Sequence, residues 1–196
     1  MITWPNIPAP MSAAARLLDF GSILRPATGA AAQRIDRAGS RWIWQVTMPP
    51  VTHADAEVLR GYLSAARREG LRMRVPLSGR SQGNPGTPLV NGAGQSGTTL
   101  VCDGFAARYI ARAGFWFHVV DAAGTRYLHK LNAEVTANGA GAATLSFDPP
   151  LRAALADNSA IEMSVPTVEG LVTSDVEWEL NTSFIGQVSF TLEESA

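Results

Sequence analysis

Few side chains in this sequence carry reactive chemistry, and they are scattered. Cys102 is the only cysteine, so there is no disulfide framework and no cysteine-based metal site. It lies in a strand-like run, where a lone thiol is more often a small core hydrophobe than a nucleophile. His118 and His129 fall in neighbouring apolar runs and could meet in a fold. Neither has a carboxylate or cysteine partner at metal-ligand spacing, so they read as two separate histidines. His53 stands at the start of a helical pattern and reads as solvent-facing. Asp103, Asp121, Asp148 and Asp157 all sit at turn signals, where aspartate serves the backbone. No Ser/His/Asp order emerges. The chain is read as a non-enzyme, with no catalytic residue, metal ligand or cofactor site expected.

Three further patterns invite a binding role. The run from Val90 to Leu100 contains Gly92, Gly94 and Gly97, but it lacks the Gly-Lys-Ser/Thr ending of a phosphate loop and no helix follows it. It also misses the dinucleotide fingerprint, which sits between a strand and a helix. The plainer reading is a glycine-bent entry into a β unit whose first strand is Leu100 to Cys102. Phe105, Tyr109, Trp116 and Tyr127 are candidate sugar-stacking aromatics; Trp116 lies in the unbroken apolar run Phe115 to Val120, so they read as core. A nucleic-acid surface wants basic residues interleaved with aromatics, and only Arg108, Arg112, Arg126 and Lys130 qualify.

The stretch from Arg41 to Leu77 carries the clearest element signals. Trp42, Trp44, Val46 and Met48 alternate with Arg41, Ile43, Gln45 and Thr47, which predicts a strand with one well-buried face. Pro49 and Pro50 end it, since neither donates to a ladder. Thr52 is placed as an N-cap with Asp55 in capping-box position and Val51 as a staple. The helix predicted from His53 to about Arg68 shows one apolar face, Ala56, Leu59, Tyr62, Leu63 and Ala66. Arg67 and Arg68 suit its last turn, and Gly70 its end. A second strand follows from Leu71 to Leu77, its outer face carrying Arg72 and Arg74. Those arginines read as edge protection or as a contact with an acidic neighbour.

Before this stretch, Pro5, Pro8 and Pro10 make the first ten residues an extended arm. Trp4 should pack on its own domain or on a neighbour. Ala13 to Phe20 reads as a helical turn or a short strand, and Gly21 to Ala32 as a loop. After it, Ser78 to Pro88 is the clearest linker. Strands are then expected at Phe115 to Val120, Arg126 to Val135, Ala143 to Phe147 and Ala160 to Val165. They are joined by turns at Asp121-Ala122-Ala123-Gly124 and Asn138-Gly139-Ala140-Gly141. Leu151 to Leu155 reads as a short helical or irregular piece. Such short strands suggest a small barrel or sandwich. Past Gly170, Val176, Trp178 and Leu180 alternate with Glu177 and Glu179, and Val188, Phe190 and Leu192 alternate again. This hairpin is too small to stand alone and needs the sheet around Arg41 to Leu77.

The expected organisation is a mainly β (α+β) protein. A split β domain, residues 1–88 and 169–196, carries one packed helix, and a small β-barrel domain, residues 89–168, is inserted at the linker. Loop-closure cost grows only logarithmically, so such an insertion is tolerated. The acidic Glu177, Glu179, Glu193 and Glu194 oppose Arg72 and Arg74 in sign and could pair with them within the sheet or across subunits. The candidate assembly surface is Trp4, Trp42, Trp44, Arg72, Arg74, Glu177 and Glu179.

Composition sets the outer bounds. At 196 residues and 46% hydrophobic, the chain can bury a real core. Only 17% of it is charged, against about 25% in an average globular protein, which suits a surface partly covered by partners. A net charge of −1 argues against a broad footprint for nucleic acid or anionic lipid. No segment approaches the ~20 apolar residues of a membrane span, and the first ten residues do not read as a signal peptide. Synthesis and retention in the cytosol are the expectation.

Several stretches taken together resemble tail proteins of siphophages. They are Arg41-Trp42 through Met48-Pro49-Pro50, Thr52 to Leu63, and Val90 to Gly97 running into Asp103-Gly104. Phe147-Asp148-Pro149-Pro150-Leu151-Arg152 and Ser189-Phe190-Thr191-Leu192-Glu193-Glu194 complete the pattern. The nearest likeness is to the distal tail protein group and its relatives in gene transfer agents. That resemblance implies a tail-tube-like β-sandwich or half-barrel with one helix, carrying an OB-like barrel on the outside. It further implies a homo-oligomeric, six-membered ring joining the tail tube to the baseplate hub, with DNA passing only as cargo through the lumen. The location implied is the virion, with assembly in the host cytoplasm and no membrane partner. Many such proteins carry a longer arm or a lectin-like domain; the smaller insert here weakens a sugar-binding role. A carbohydrate-binding tail module or another minor tail protein is the alternative.

Overall fold

Among the described residues the chain builds two six-stranded sheets and one helix, and the first sheet draws strands from both sides of the second. The computed structural model describes residues 1–5, 8–35, 37, 39–77, 79–177 and 185–195. Strands β1 (Ile2–Thr3) and β2 (Ser12–Leu18) come first, followed by a hairpin of β3 (Ser22–Leu24) and β4 (Gln33–Ile35). Next are β5 (Arg41–Thr47), β6 (Val51–Thr52), α1 (His53–Glu69) and β7 (Leu71–Arg74). The second sheet begins with β8 (Gly86–Val90) and β9 (Thr99–Phe105), with β10 (Ile110–Ala111) beside it. It continues through β11 (Trp116–Val120), β12 (Arg126–Leu131), β14 (Ala143–Asp148) and β15 (Ile161–Glu162), while β13 (Val135–Thr136) pairs only with β10. The chain then returns to the first sheet with β16 (Thr167–Val172) and β18 (Ser189–Glu194), while β17 (Ile185–Gly186) pairs with β6.

The first sheet runs β1-β7-β16-β18-β5-β2, antiparallel except where β1 lies parallel to β7. Val46 stands opposite Phe190, Trp44 opposite Leu192, and Leu192 opposite Val172, so the alternation in each strand places these side chains on one face. Leu59 and Leu63 of α1 join them in a single core, each burial worth roughly 1.5–3 kcal/mol. The helix starts as its sequence dictates: Asp55 N–H donates to Thr52 Oγ1 at 3.2 Å, and the Thr52 hydroxyl donates to Asp55 Oδ2 at 2.6 Å. At its end Gly70 N–H closes on the Ala66 carbonyl at 2.8 Å.

The second sheet runs β15-β11-β12-β14-β9-β8, antiparallel throughout. It curls until its ends meet. Val90 N–H donates to the Ser159 carbonyl at 2.9 Å, Asn158 N–H donates to Val90 at 2.8 Å, and Leu89 bridges to Ala160. Phe117, Val119, Leu131, Leu145, Phe147 and Met163 fill the interior. The two expected turns form with their aspartate and asparagine as struts. Asp121 Oδ1 accepts from Ala123 and Thr125 N–H, and Asn138 Oδ1 from Ala140 and Ala142 N–H. Gly141 is required after the second turn. Its φ is +80°, and a Cβ there would lie 2.3 Å from the Phe105 carbonyl oxygen.

A mainly β fold with one packed helix and a nearly closed barrel is therefore present, with several departures in detail. Ala13 to Phe20, left open between helix and strand, contains β2. The supposed loop from Gly21 to Ala32 contains β3, paired with β4. The barrel's first strand is β8, not Leu100 to Cys102, and the expected linker residue Gln82 is buried against it. Its side chain accepts from Trp116 N–H and donates to the Trp116 and Met163 carbonyls. Tyr62 was expected on the buried helix face but is 41% exposed, while Arg60 is buried with an ion pair to Glu57 at 3.1 Å. β18 pairs with β16 and β5 rather than with a strand at Val176 and Glu177, which lie outside any strand. Trp178, Glu179 and Leu180 lie outside the described residues. Among the described residues no helix is long and apolar enough to cross a membrane.

Candidate assembly surface

The reactive side chains are withdrawn into the barrel. Cys102 is fully buried, and desolvation pushes its thiol up to about 12, which removes the thiolate that nucleophilic chemistry needs. His129 is held by Nδ1 against the Pro149 carbonyl at 2.9 Å and flanked by the Phe117 and Phe147 rings. Burial lowers it to about 3. His118 accepts from Thr167 N–H at 3.0 Å through Nδ1, and burial with nearby Arg126 and Arg72 lowers it also to about 3. Both are neutral imidazoles, His129 among aromatic rings and His118 facing the Thr167 N–H with Arg126 and Arg72 nearby. Among the described residues no three His, Cys, Asp or Glu side chains are grouped to hold a metal ion. The glycine-rich loop folds on itself: the Gln95 amide donates to the Asn91, Gly92 and Val101 carbonyls, and its oxygen accepts from Val101 N–H at 2.7 Å. Of the four aromatics with sugar-stacking potential, Phe105 and Tyr127 are buried and Tyr109 and Trp116 half-buried. The Tyr109 ring stacks on Phe105 at 5.8 Å and Trp116 packs against Trp42 and Trp44.

What the fold builds instead is a junction between barrel and sheet. The Trp116 ring meets Trp42 edge-on at 4.7 Å and Trp44 at 5.2 Å, with Lys130 Nζ over its face at 4.9 Å. Leu128, also from the barrel, is fully buried in the core of the first sheet. Two buried glutamates bind the units together. Glu194 of β18 accepts from Trp42 N–H at 3.0 Å, from Leu128 N–H at 2.7 Å and from Arg152 Nη2. Desolvation pushes its carboxyl above the ordinary glutamate range, against the pull of Arg152 and the two N–H donors. The Arg152 guanidinium lies over the Tyr127 ring at 5.1 Å. Its Nε and Nη1 find no acceptor among the described residues, and the ring face offsets part of that loss. Glu169 of β16 accepts from Arg72 Nε at 2.5 Å and from Arg126 Nη1 at 2.6 Å.

The candidate surface from the sequence falls apart on these positions. Trp4, Trp42 and Trp44 are each less than a tenth exposed, so they present no face to a neighbouring molecule. Trp4 packs on Phe190 at 4.8 Å, within its own sheet, and Trp42 and Trp44 serve the junction. Arg72 is engaged inside the chain by Glu169. Arg74 and Glu177 are exposed, and Glu179 lies outside the described residues. The surface that is available lies elsewhere. β2 is the open edge of the first sheet, seven residues with Leu17 37% exposed. Beyond it, the β3–β4 hairpin exposes Ile23, Leu24 and Ile35. A cleft of about 490 Å³ opens between α1 and the Gln45–Thr47 end of β5; its open lining is mainly polar, with Gln45, Ser174, Gln187 and Glu177 beside Arg60, and its Asp175 is paired with Arg67 at 3.2 Å. A smaller cleft, about 400 Å³, lies where the hairpin base faces Thr98 and Asp148–Pro150 of the barrel; Arg34 and Arg37 there are balanced by Asp19 and Asp148.

No protein-family model and no curated protein matches this sequence.

Proposed function

We propose that the chain is a structural subunit of a phage tail tip, a ring-forming protein of the distal tail type that joins the tail tube to the baseplate hub. The observation that carries this reading is the contrast in edges. The barrel is nearly closed by the Leu89–Ala160 bridge, whereas the first sheet ends on the two-residue β1 and on β2, a seven-residue strand of sequence SAAARLL. Natural sheets blunt such edges with proline, lysine, bulges or a covering element. β2 has no proline or lysine and carries a single charge, Arg16, and its three alanines leave the rest of the edge free of bulky side chains. A strand of this kind suits β-augmentation by a neighbouring subunit, and repeated head-to-tail pairing closes into a ring when the rotation allows. The resemblance of the chain to distal tail proteins, with a split tube-like domain bearing an inserted OB-like barrel, points the same way. The burial of Cys102, His118, His129, Phe105 and Tyr127 supports a scaffold over an enzyme or a sugar-binding module.

Light scattering on the eluting protein, alone and mixed with candidate tube and hub proteins, tests the reading. A closed oligomer or a stable mixed complex is expected. A strictly monomeric species that joins neither protein overturns it.

A further inference from the structure

The first sheet ends on two unlike edges. Met48 N–H donates to the Val188 carbonyl at 2.8 Å and Trp42 N–H to the Glu194 carboxylate at 3.0 Å. The even-numbered residues of β5 therefore turn their backbone toward β18 and the odd-numbered ones toward β2. The register pairs those odd residues, Arg41, Ile43, Gln45 and Thr47, with Leu18, Arg16, Ala14 and Ser12. The N–H and C=O groups of Ala13, Ala15 and Leu17 thus point away from the sheet, and among the described residues no strand takes them up. At the other end, Ile2 N–H donates to the Gly70 carbonyl and Trp4 N–H to that of Arg72, both at 2.8 Å, which leaves Thr3 alone facing outward in β1. A copy offering its β1 edge would set Thr3 alone against Ala13, Ala15 and Leu17. The edge of matching length is another β2.

The β2 sequence, SAAARLL, also complements itself when two copies run in opposite directions. With Ala15 opposite its own counterpart, Ser12 meets Leu18, Ala13 meets Leu17 and Ala14 meets Arg16. Every large side chain then stands beside a small one, and the two Arg16 side chains lie apart. The same register sets outward groups against outward groups, Ala13 with Leu17 and Ala15 with Ala15, each pair exchanging two hydrogen bonds. A slip of one residue would set them against groups already bonded to β5. A slip of two either brings Arg16 opposite Arg16 or leaves Leu17 and Leu18 beyond the end of the partner strand. Leu17, 37% exposed in the single chain, gains Ala13 of the second copy as a neighbour on its own face.

We propose that β2 of one copy pairs antiparallel with β2 of a second copy about a two-fold axis at Ala15, joining the two first sheets into one continuous sheet. Such a contact is isologous, the same patch serving both partners. It rests on the reading of the chain as an assembling subunit with β2 as its open edge, and it names what that edge receives. Because a two-fold contact stops at two copies, it links one ring to another, and the head-to-tail contact within a ring belongs to other surfaces.

Sedimentation equilibrium of the wild-type chain is expected to show a dimer as the first associated species. Ala15→Pro removes an outward N–H, a loss that a sheet edge tolerates. Each pair of copies loses two such donors, so association should weaken at least about tenfold. Ala14→Glu sets a carboxylate opposite Arg16 of the second copy and should tighten it about twofold to tenfold. Ala15→Cys, once oxidised, should give a linked dimer and nothing larger on a denaturing non-reducing gel, since Cys102 is buried. The Cα atoms of a hydrogen-bonded pair lie about 5.5 Å apart, within disulfide reach. Circular dichroism melts are the folding control, and the cysteine variant keeps the test decisive if proline unfolds the chain. A dimer that folded Ala15→Pro leaves intact, or an Ala15→Cys chain that stays unlinked while the wild type associates, overturns the pairing. A chain that is monomeric alone yet joins tube or hub proteins overturns the pairing and leaves the subunit reading standing; one that does neither overturns both.

Discussion

The barrel returns from β15 to β8 through the Leu89–Ala160 bridge, whereas the first sheet stops at β1 on one side and β2 on the other. Both have six strands and a dry apolar core. The barrel pairs its own end strands and braces its turns with Asp121 and Asn138, and it turns to the first sheet only for acceptors such as Glu194 for Leu128 N–H. The first sheet needs outside help: α1 covers part of its buried face, the barrel's Trp116 and Leu128 cover another part, and β2 is left as a template. The closed unit therefore suits display and support, while the open unit suits assembly. Edge chemistry, rather than strand number, separates the two roles.

The comparison breaks most sharply at Glu194. Replacing it with alanine leaves Arg152 charged and buried and leaves the Trp42 and Leu128 N–H groups without their acceptor, a loss of about 3–5 kcal/mol. Urea unfolding followed by tryptophan fluorescence and by far-ultraviolet dichroism should then show two separate transitions where the wild type shows one. Coincident curves with an unchanged midpoint would mean that the junction contributes little.

Acid should act next, and through the barrel side. His118 and His129 have folded-state values near 3 against an ordinary 6.5. Their contribution is full above pH 6.5. It is lost as pH falls toward 3, because there the unfolded chain takes up protons that the folded one refuses. At pH 5 the loss amounts to about 2 kcal/mol per histidine. Thermal melts at pH 7 and pH 5 check this, and equal stability at both would contradict it. Smaller changes confined to the open unit come from the helix. Thr52→Ala removes the cap to Asp55 N–H and should cost about 1 kcal/mol. Gly61→Ala should add up to about 1 kcal/mol, since a Cβ there meets nothing within 4 Å. Both are read from denaturation midpoints, and neither should alter the barrel's own melting in the Glu194→Ala background.

Local signals were the legible ones. The Thr52 cap, the β5 alternation and the Asp121 and Asn138 turns depend on neighbours a few residues away, and each stands where periodicity places it. Alternation told which face of β5 is buried without telling what buries it, so Trp42 and Trp44 were assigned to a neighbouring molecule when the chain's own barrel covers them. Glu193 and Glu194 looked like one acidic face. Adjacent positions on a strand point opposite ways, and Glu193 pairs with Arg41 at 2.6 Å while Glu194 is buried at the junction. Such partners are far apart in the chain and leave no local trace. The β3–β4 hairpin was hidden because Gly21, Pro26, Gly29 and a run of alanines read as loop. The proposed assembly surface was accordingly the least legible part.

The strand order also sets a timetable for synthesis. β18 lies between β16 and β5, so the central pairing of the first sheet waits for residues 189–194 to leave the ribosome. The barrel spans residues 86–162 without interruption and can close while the chain is still being made, since contiguous units fold as they emerge. During that interval β2, β5 and α1 stand ready with their apolar faces unpaired, on the far side of an already folded unit. Protease challenge of ribosome-bound chains in which residue 170 is followed by an unstructured linker long enough to clear the exit tunnel should find the barrel resistant and the first 80 residues open to cleavage.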